Sequence, residues 1–391
     1  MALRKNIGES YTPTYFLASL GNGGLAVTFF MFLMFMIPHK GRPMPVFEDI
    51  VAALQSTLPI QFLTIVSLVG IIWFSAQHYR MLIWNIRQYL AFKHTPAFNR
   101  FQTTDAQVQL MAIPLTYAMA INVMFILGAV FVPQLWSVVE YLFPMAMGAF
   151  FIVGIYSISI FYTFFSRVIA HGGFDCEKNN SLSQMLSIFT FSMVAVGFAA
   201  PGAMSHNVIV SGVGIIMATF FLALVTTLGV IKIVLGFRSM LAHGINYEAS
   251  VSLWIVIPIL TLVGITIYRI AMGLVHNFDA VIHPWAHVIM FTALCGIQIF
   301  FGLLGYGVMK ELGYFNEFIH GESKSAVSFA AICPGVAFVV LGNFFINRGL
   351  VAAGLIEMFS VAYFVLYIPL LAIQAQTIIV LMRLTRKLLK A

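Results

Sequence analysis

Residues 207–238 of the chain, NVIVSGVGIIMATFFLALVTTLGVIKIVLGFR, begin with 25 residues that carry no charge and end with Lys232 and Arg238. A helix of about 20 apolar residues crosses the hydrocarbon core of a bilayer, which is roughly 30 Å thick. The stretch therefore predicts one membrane-spanning helix that has cations at only one of its two ends.

The rest of the chain repeats this pattern. Of its 391 residues, 61% are hydrophobic and 8% are charged. Ten spans are predicted, numbered 1 to 10 in chain order, near 14–37, 57–77, 107–132, 136–165, 184–204, 207–231, 250–272, 283–309, 326–345 and 350–380. These spans use most of the chain, so we expect an all-α polytopic membrane protein with a single transmembrane domain over 1–391, embedded in the lipid bilayer.

The cations are distributed unequally between the two sides of the membrane that the spans define. Of 20 Lys and Arg residues, 16 fall in the two tails or in every second gap, including Lys178 in the fourth gap. The other side has only Lys40, Arg42, Arg269 and Arg348. Short loops rich in Lys and Arg stay in the cytoplasm. The pattern predicts two cytoplasmic termini, odd spans that run outward and even spans that return. It also explains the net charge of +7 without nucleic acid as a partner.

Interior prolines are more frequent in the odd spans than in the even ones. Spans 3, 5, 7 and 9 each have one, at Pro114, Pro201, Pro258 and Pro334, and span 1 has Gly-Asn-Gly-Gly at 21–24 instead. Among the even spans only Pro369 is clearly interior, because Pro59 and Pro144 lie in first turns. Proline removes a backbone hydrogen bond and kinks a helix, which is tolerated in a membrane where neighbouring helices or a cavity satisfy the freed carbonyl. We therefore expect five helical hairpins, with kinked odd spans around a central pore and even spans outside them.

Polar side chains of the odd spans are the candidates for lining such a pore. They are neutral hydroxyls and amides: Asn22, Thr116, Asn122, Thr190, Ser192, Thr261 and Ser328. The alternative is ordinary hydrogen bonding between helices, worth about 0.6 kcal/mol per contact. No acidic residue falls at mid-depth in any predicted span, which argues against a cation pathway and favours an anion. Arg269, near the outer end of span 7, could meet the anion or could instead extend to the membrane surface.

Three short stretches resemble a known family. They are SLWIVIP at 252–258, SFAAICP at 328–334, and Tyr15-Phe16 followed by the glycine-rich run 21–26. With the ten-span layout, they resemble the tellurite-resistance/dicarboxylate transporter family, which includes slow anion channels. The resemblance implies a pore within each protomer of a homotrimer, and transport of small inorganic or organic anions without a cofactor or enzymatic activity. The short tails favour a bacterial inner membrane.

The family resemblance also implies a gate. In that family a phenylalanine of the ninth helix occludes the pore, but the matching position here is Cys333, directly before Pro334. Either the pore is less tightly closed, or another aromatic residue is the gate. The candidates are Phe329, four residues earlier on the same face, together with Phe191 and Phe338.

Two other functions remain open at this stage. Five histidines fall on the predicted outer side: His39, His206, His276, His283 and His287. A proton-coupled exporter of sulfite-like or dicarboxylate anions would use His206 or His287 as the titrating group. An integral membrane redox or metal enzyme subunit would need a metal or haem site, for which the pair His283 and His287 is the only sequence signal. The three cysteines, Cys176, Cys295 and Cys333, form no disulfide or metal motif.

Overall fold

A computed structural model describes residues 3–172 and 180–390, so Cys176 and Lys178 lie outside the described ranges. Ten helices within these ranges are long and apolar enough to cross a membrane: Pro13–Met36, Leu58–Phe92, Asp105–Phe131, Leu135–His171, Ser183–Met204, Val208–His243, Ser250–Asn277, Pro284–Glu311, Ala326–Val351 and Val361–Leu389. They are spans 1 to 10, and they confirm the predicted all-α polytopic membrane protein.

The ends of several spans differ from the prediction. Span 2 was predicted to end near residue 77, but it continues to Phe92 and is followed by a short helix, Pro96–Gln102. Span 9 extends to Val351, and span 10 begins only at Val361. An apolar run shows where a helix lies within the hydrocarbon, but the helix continues wherever its backbone hydrogen bonds continue, including through charged residues beyond the membrane core.

Burial separates odd from even spans as predicted. The most apolar part of each odd span is 61–94% buried inside the protein, against 28–39% for each even span. Each odd span contacts the even span that follows it, which gives five hairpins. The odd spans also contact one another in the order 1, 3, 5, 7, 9, and span 9 returns to span 1. The five inner helices therefore form a closed ring.

Both termini lie at one end of this ring. Leu3 pairs with Lys390, and the backbone N–H of Arg4 donates to the carbonyl of Leu389 at 2.9 Å. All odd spans begin at this end, which we name the inner end; the opposite end is the outer end. Each odd span opens with a 3₁₀ segment: Pro13–Tyr15, Asp105–Met111, Ser183–Met185, Ser250–Ile255 and Ala326–Ala331.

Three of the four predicted helix kinks lie at one specific place in their spans, the junction between the 3₁₀ segment and the α-helix. Pro114, Pro258 and Pro334 are each the third residue of the α-helical part, directly after the 3₁₀ segment. They mark the change of helix type, where α-helical hydrogen bonding is only beginning. Pro201 alone lies within its α-helix, Leu186–Met204, close to the outer end. The same change occurs without proline in spans 1 and 5.

A glycine contact between spans 5 and 6 tests the packing of the hairpins. A Cβ atom at Gly214 would lie 2.8 Å from the Gly202 nitrogen and 2.9 Å from the Phe198 oxygen, so backbone would have to move. We expect Gly214→Ala to destabilise the protein by about 1–3 kcal/mol, measured as a lower melting temperature in detergent. A Cβ at Gly296 meets no atom within 4 Å. Gly296→Ala should therefore melt like the wild type, and equal effects of the two changes would contradict this packing.

Candidate functional site

A cavity of about 670 Å³ lies inside the ring of odd spans. It is lined mainly by spans 1, 3, 5, 7 and 9, with contributions from span 4 and from the loop that follows span 1. At the outer end it is lined by the exposed residues Gly41 and His206, and at its deepest by Phe189, Pro258 and Cys333. The last three lie in the first turns of their α-helices, so the cavity extends most of the way to the inner end. We name it the central cavity.

Three of the four outer-side cations line the central cavity: Arg42, Arg269 and Arg348. Lys40 is exposed and is not part of its wall. Arg42 forms an ion pair with Asp49, whereas no carboxylate among the described residues lies within 4.0 Å of Arg269 or Arg348. None of the Asp and Glu residues that the structure describes lines the cavity. The wall therefore has a positive charge that the described part of the chain does not neutralise.

Arg269 is held in place by the neighbouring inner helix. Its Nη1 donates to the carbonyl of Val196 in span 5 at 2.9 Å. Arg269 lies eight residues before Asn277, the end of span 7, which places its Cα about 12 Å below the outer end at 1.5 Å per residue. A guanidinium carries five N–H donors, so the bond to Val196 leaves donors for a ligand in the cavity.

Arg348 was predicted to lie in a gap, but it belongs to span 9. It is part of a π-helical turn, Phe345–Val351, that continues the α-helix. Its guanidinium carbon lies 5.6 Å from the centroid of the Phe35 ring, which packs edge-on against Phe344 at 5.2 Å. Attraction between the cation and the aromatic ring stabilises this position without neutralising the charge.

A hydrogen-bond network fixes the π-helical turn against span 10. Tyr367 donates its hydroxyl to the side-chain oxygen of Asn343 at 2.8 Å, and the amide of Asn347 donates to Tyr367 at 2.9 Å. The Tyr363 hydroxyl donates to Asn347 at 3.0 Å. Tyr363 and Asn343 are fully buried, so these bonds satisfy polar groups that would otherwise be costly inside the bundle. The network therefore orients the backbone that carries Arg348.

The outer loop contributes to the mouth of the cavity. Besides pairing with Arg42, Asp49 accepts a hydrogen bond from the Val46 N–H at 2.9 Å. Glu48 accepts one from the Gln134 N–H at 2.7 Å, and this bond lowers the pKa of the Glu48 carboxyl from its usual value. The loop is thus tied both to itself and to the segment that follows span 3.

The rest of the cavity wall is mostly apolar. Seven of its residues are methionines: Met31, Met34, Met44, Met119, Met193, Met204 and Met272. Between Arg269 and the inner limit of the cavity, the polar side chains of the wall are Asn122, Thr261 and Tyr268, the last of which directly precedes Arg269 in span 7. The amide of Asn122 contacts the sulfur of Met193 at 3.6 Å.

Only Asn122 and Thr261 of the seven predicted pore-lining residues lie in the cavity wall. The other five are bonded within the helix bundle: Asn22 to Ala18, Thr116 to Ala112, Thr190 to Leu186, Ser192 to Phe189 and Ser328 to Tyr314. A short polar side chain in an apolar helix bonds readily to a carbonyl of the preceding turn. These five side chains therefore form ordinary hydrogen bonds inside the bundle, which was the alternative to lining the pore.

The gate candidates lie in four different places. Cys333 lines the cavity at its deep end. Phe191 packs against Phe161 and Phe221 of spans 4 and 6, at 5.5 and 6.1 Å between ring centroids, and so faces away from the cavity. Phe338 is not in the wall and packs beside the cluster that spans 1, 9 and 10 form.

Phe329 is not part of the cavity wall, and it lies four residues before Cys333, toward the inner end. It is fully buried in the 3₁₀ segment of span 9, which contacts the 3₁₀ segments of spans 1 and 7. Its ring centroid lies 6.5 Å from that of Tyr15 in span 1. Phe189, two residues before Phe191, lines the cavity instead of its predicted neighbour. Span 5 is apolar all round, so the sequence offered no signal to distinguish these two phenylalanines.

Two of the five outer-side histidines, His206 and His276, line the cavity, whereas His39, His283 and His287 do not. The Nδ1 of His276 lies 3.0 Å from the carbonyl of Ala203. Among the described residues, no group of three or more His, Cys, Asp or Glu side chains could hold a metal ion.

Comparison of the chain with models of known protein families gives no match, and comparison with curated protein sequences gives none either. The geometry of the central cavity is therefore the basis for assigning a function.

Proposed function

We propose that the protein moves small anions across the membrane through the ring of odd spans, with the central cavity as their binding site on the outer side. One observation carries the proposal. The cavity inside the ring contains Arg269 and Arg348, neither of which has a carboxylate partner in the described ranges, and no Asp or Glu of those ranges lines its wall.

The energy of these two cations favours an anion in the cavity. Arg269 and Arg348 are half-buried, and a charge that is partly removed from water and has no partner is less well solvated than one at an open surface. An anion about 6 Å from one guanidinium gains roughly 3 kcal/mol at an effective dielectric constant of about 20. A cation in the same position would be repelled by a similar amount. The cavity therefore selects the sign of the solute.

In this proposal, the 3₁₀ segments at the inner end of the odd spans form the gate. An anion that leaves the cavity inward must pass the 3₁₀ segments, where Phe329 packs against Tyr15. Rotation of one aromatic side chain can open a narrow apolar constriction, and such constrictions also stop ions by excluding water. We assign this role to Phe329, and Cys333 then belongs to the wall directly above the gate.

Anion flux from proteoliposomes tests the role of the cavity arginines. We expect Arg269→Gln and Arg348→Gln each to lower flux at least tenfold, because each removes a charge that attracts the anion. Lys40→Gln removes an outer-side charge that does not line the cavity and should change flux less than twofold. Wild-type flux in both arginine variants would contradict the proposal. Flux that appears only with a pH gradient would instead favour a proton-coupled exporter, for which His206 in the wall is the candidate group.

Replacement of Phe329 tests the gate. Phe329→Ala should raise anion flux several-fold, because it opens the constriction below the cavity. Phe191→Ala removes an equally buried phenylalanine that faces the outer helices, and it should not raise flux. An equal increase in both variants would indicate general loosening of the bundle and would contradict the assignment of Phe329.

We further propose a homotrimer in a bacterial inner membrane, with both termini in the cytoplasm. The cation distribution supports this orientation, and the family resemblance supports the assembly.

Labelling of single cysteines tests the orientation, in a background whose native cysteines are replaced by Ser. An impermeant maleimide should label Lys40→Cys in intact cells, because this exposed position lies at the outer end. The exposed position of Lys324→Cys should be labelled only after the cells are permeabilised. The reverse pattern would contradict the orientation.

A further inference from the structure

The central cavity has two chemically different parts. Arg269 and Arg348 line its outer part, and most side chains of the wall below them are apolar, with Asn122, Tyr268 and Thr261 as the exceptions. Eleven residues separate Arg269 from Pro258 at the deep end, which corresponds to about 16 Å of α-helix. Thr261 lies in this stretch, but its hydroxyl donates to the Ala337 carbonyl at 2.9 Å and accepts from Gln298 at 2.7 Å. Its hydrogen-bonding capacity is therefore used within the protein.

A cavity with these two parts suits a small hydrated anion poorly. Such an ion would meet the guanidinium groups at the outer part, but the deeper wall offers few donors to replace its hydration shell. An apolar constriction of this kind tends to exclude water. An organic anion with an apolar body avoids the problem, because its charged group stays with the arginines while its body is buried. Each buried CH₂ group raises affinity about fourfold.

The volume of the cavity and the flexibility of its side chains also favour an organic anion. A volume of about 670 Å³ falls within the range of roughly 300–1,000 Å³ that is typical of sites for drug-sized ligands. Methionine side chains are flexible and polarizable, and they suit surfaces that accept ligands of varied shape. Met119 and Met193 line the apolar part, together with the ring of Phe189.

We propose that the central cavity binds amphipathic organic anions. A carboxylate or sulfonate group is held by Arg269 and Arg348, whose planar guanidinium groups suit oxyanions, and an apolar body of about the size of two fused aromatic rings packs among Met119, Met193 and Phe189. The proposal rests on the anion transport proposed above and specifies the class of substrate.

Calorimetric titration of the protein in lipid nanodiscs tests this inference, with empty nanodiscs as the control for partition into lipid. The probe is naphthalene-2-carboxylate. Acetate serves as an anion without the apolar body, and naphthalene-2-carboxamide as the same body without the charge. We expect the probe to bind at least tenfold more tightly than either. Binding no stronger than to empty nanodiscs, or no stronger than that of acetate, would overturn the inference.

Variants separate the two parts of the site. Arg348→Gln should weaken binding of the probe at least tenfold, and Lys40→Gln should leave it unchanged. Met193→Gln preserves the length of the side chain but adds an amide to the apolar wall, so it should weaken binding of the probe while leaving the weak binding of acetate unaltered. Equal probe affinity in the wild type, Arg348→Gln and Met193→Gln would place the probe elsewhere and overturn the inference.

The two proposals can fail separately. If the probe does not bind but inorganic anion flux still depends on Arg269 and Arg348, the inference about organic anions falls and the transport function stands. If the probe binds in the cavity but no anion crosses the membrane, the transport function falls and the cavity remains a binding site for organic anions.

Discussion

The packing of span 1 against span 9 closes the ring of inner helices, and the central cavity depends on this contact. A Cβ atom at Gly21 would lie 2.8 Å from Ile332, and one at Gly24 would lie 2.7 Å from Val336. The absence of side chains at these two positions allows the helices to approach closely. Both glycines also line the cavity, so the surface that closes the ring is part of its wall.

A closed ring allows two cations to line a cavity inside the bundle. An arginine that faced lipid within the hydrocarbon would be strongly unfavourable, whereas Arg269 and Arg348 face the central cavity. Each has structural support from an inner helix: the Val196 carbonyl for Arg269, and the ring of Phe35 for Arg348. Neither support neutralises the charge. The fold thus preserves an electrostatic attraction for an anion that a carboxylate partner would remove.

Much of the fold was predictable from the sequence, because hydropathy and charge report directly on the bilayer. Nine of the ten spans begin within two residues of their predicted starts, and the division between odd and even spans is confirmed by burial. Where the helices end was less predictable. Arg348 was assigned to a gap because the apolar run breaks before it, while the π-helical turn that extends span 9 is stabilised by contacts with span 10.

The site was only partly predictable for a related reason. Spans 1, 3, 5 and 9 have no distinct polar and apolar faces, so no helical periodicity separates the face toward the cavity from the face toward a neighbour. Asn122 and Thr261 lie in the cavity wall, but Thr116 and Thr190 have the same composition around them and bond to carbonyls inside the bundle. The more useful signal was the small set of cations that depart from the charge pattern. Three of those four residues line the cavity.

The central claim is that Arg269 and Arg348 together hold an anion, and anomalous diffraction from crystals soaked in sodium bromide tests it most directly. We predict an anomalous peak inside the central cavity, within about 4 Å of a guanidinium nitrogen of Arg269 or Arg348. The peak should be lost when both arginines are replaced by Gln. Bromide peaks on the protein surface with none in the cavity of the wild type would contradict the account.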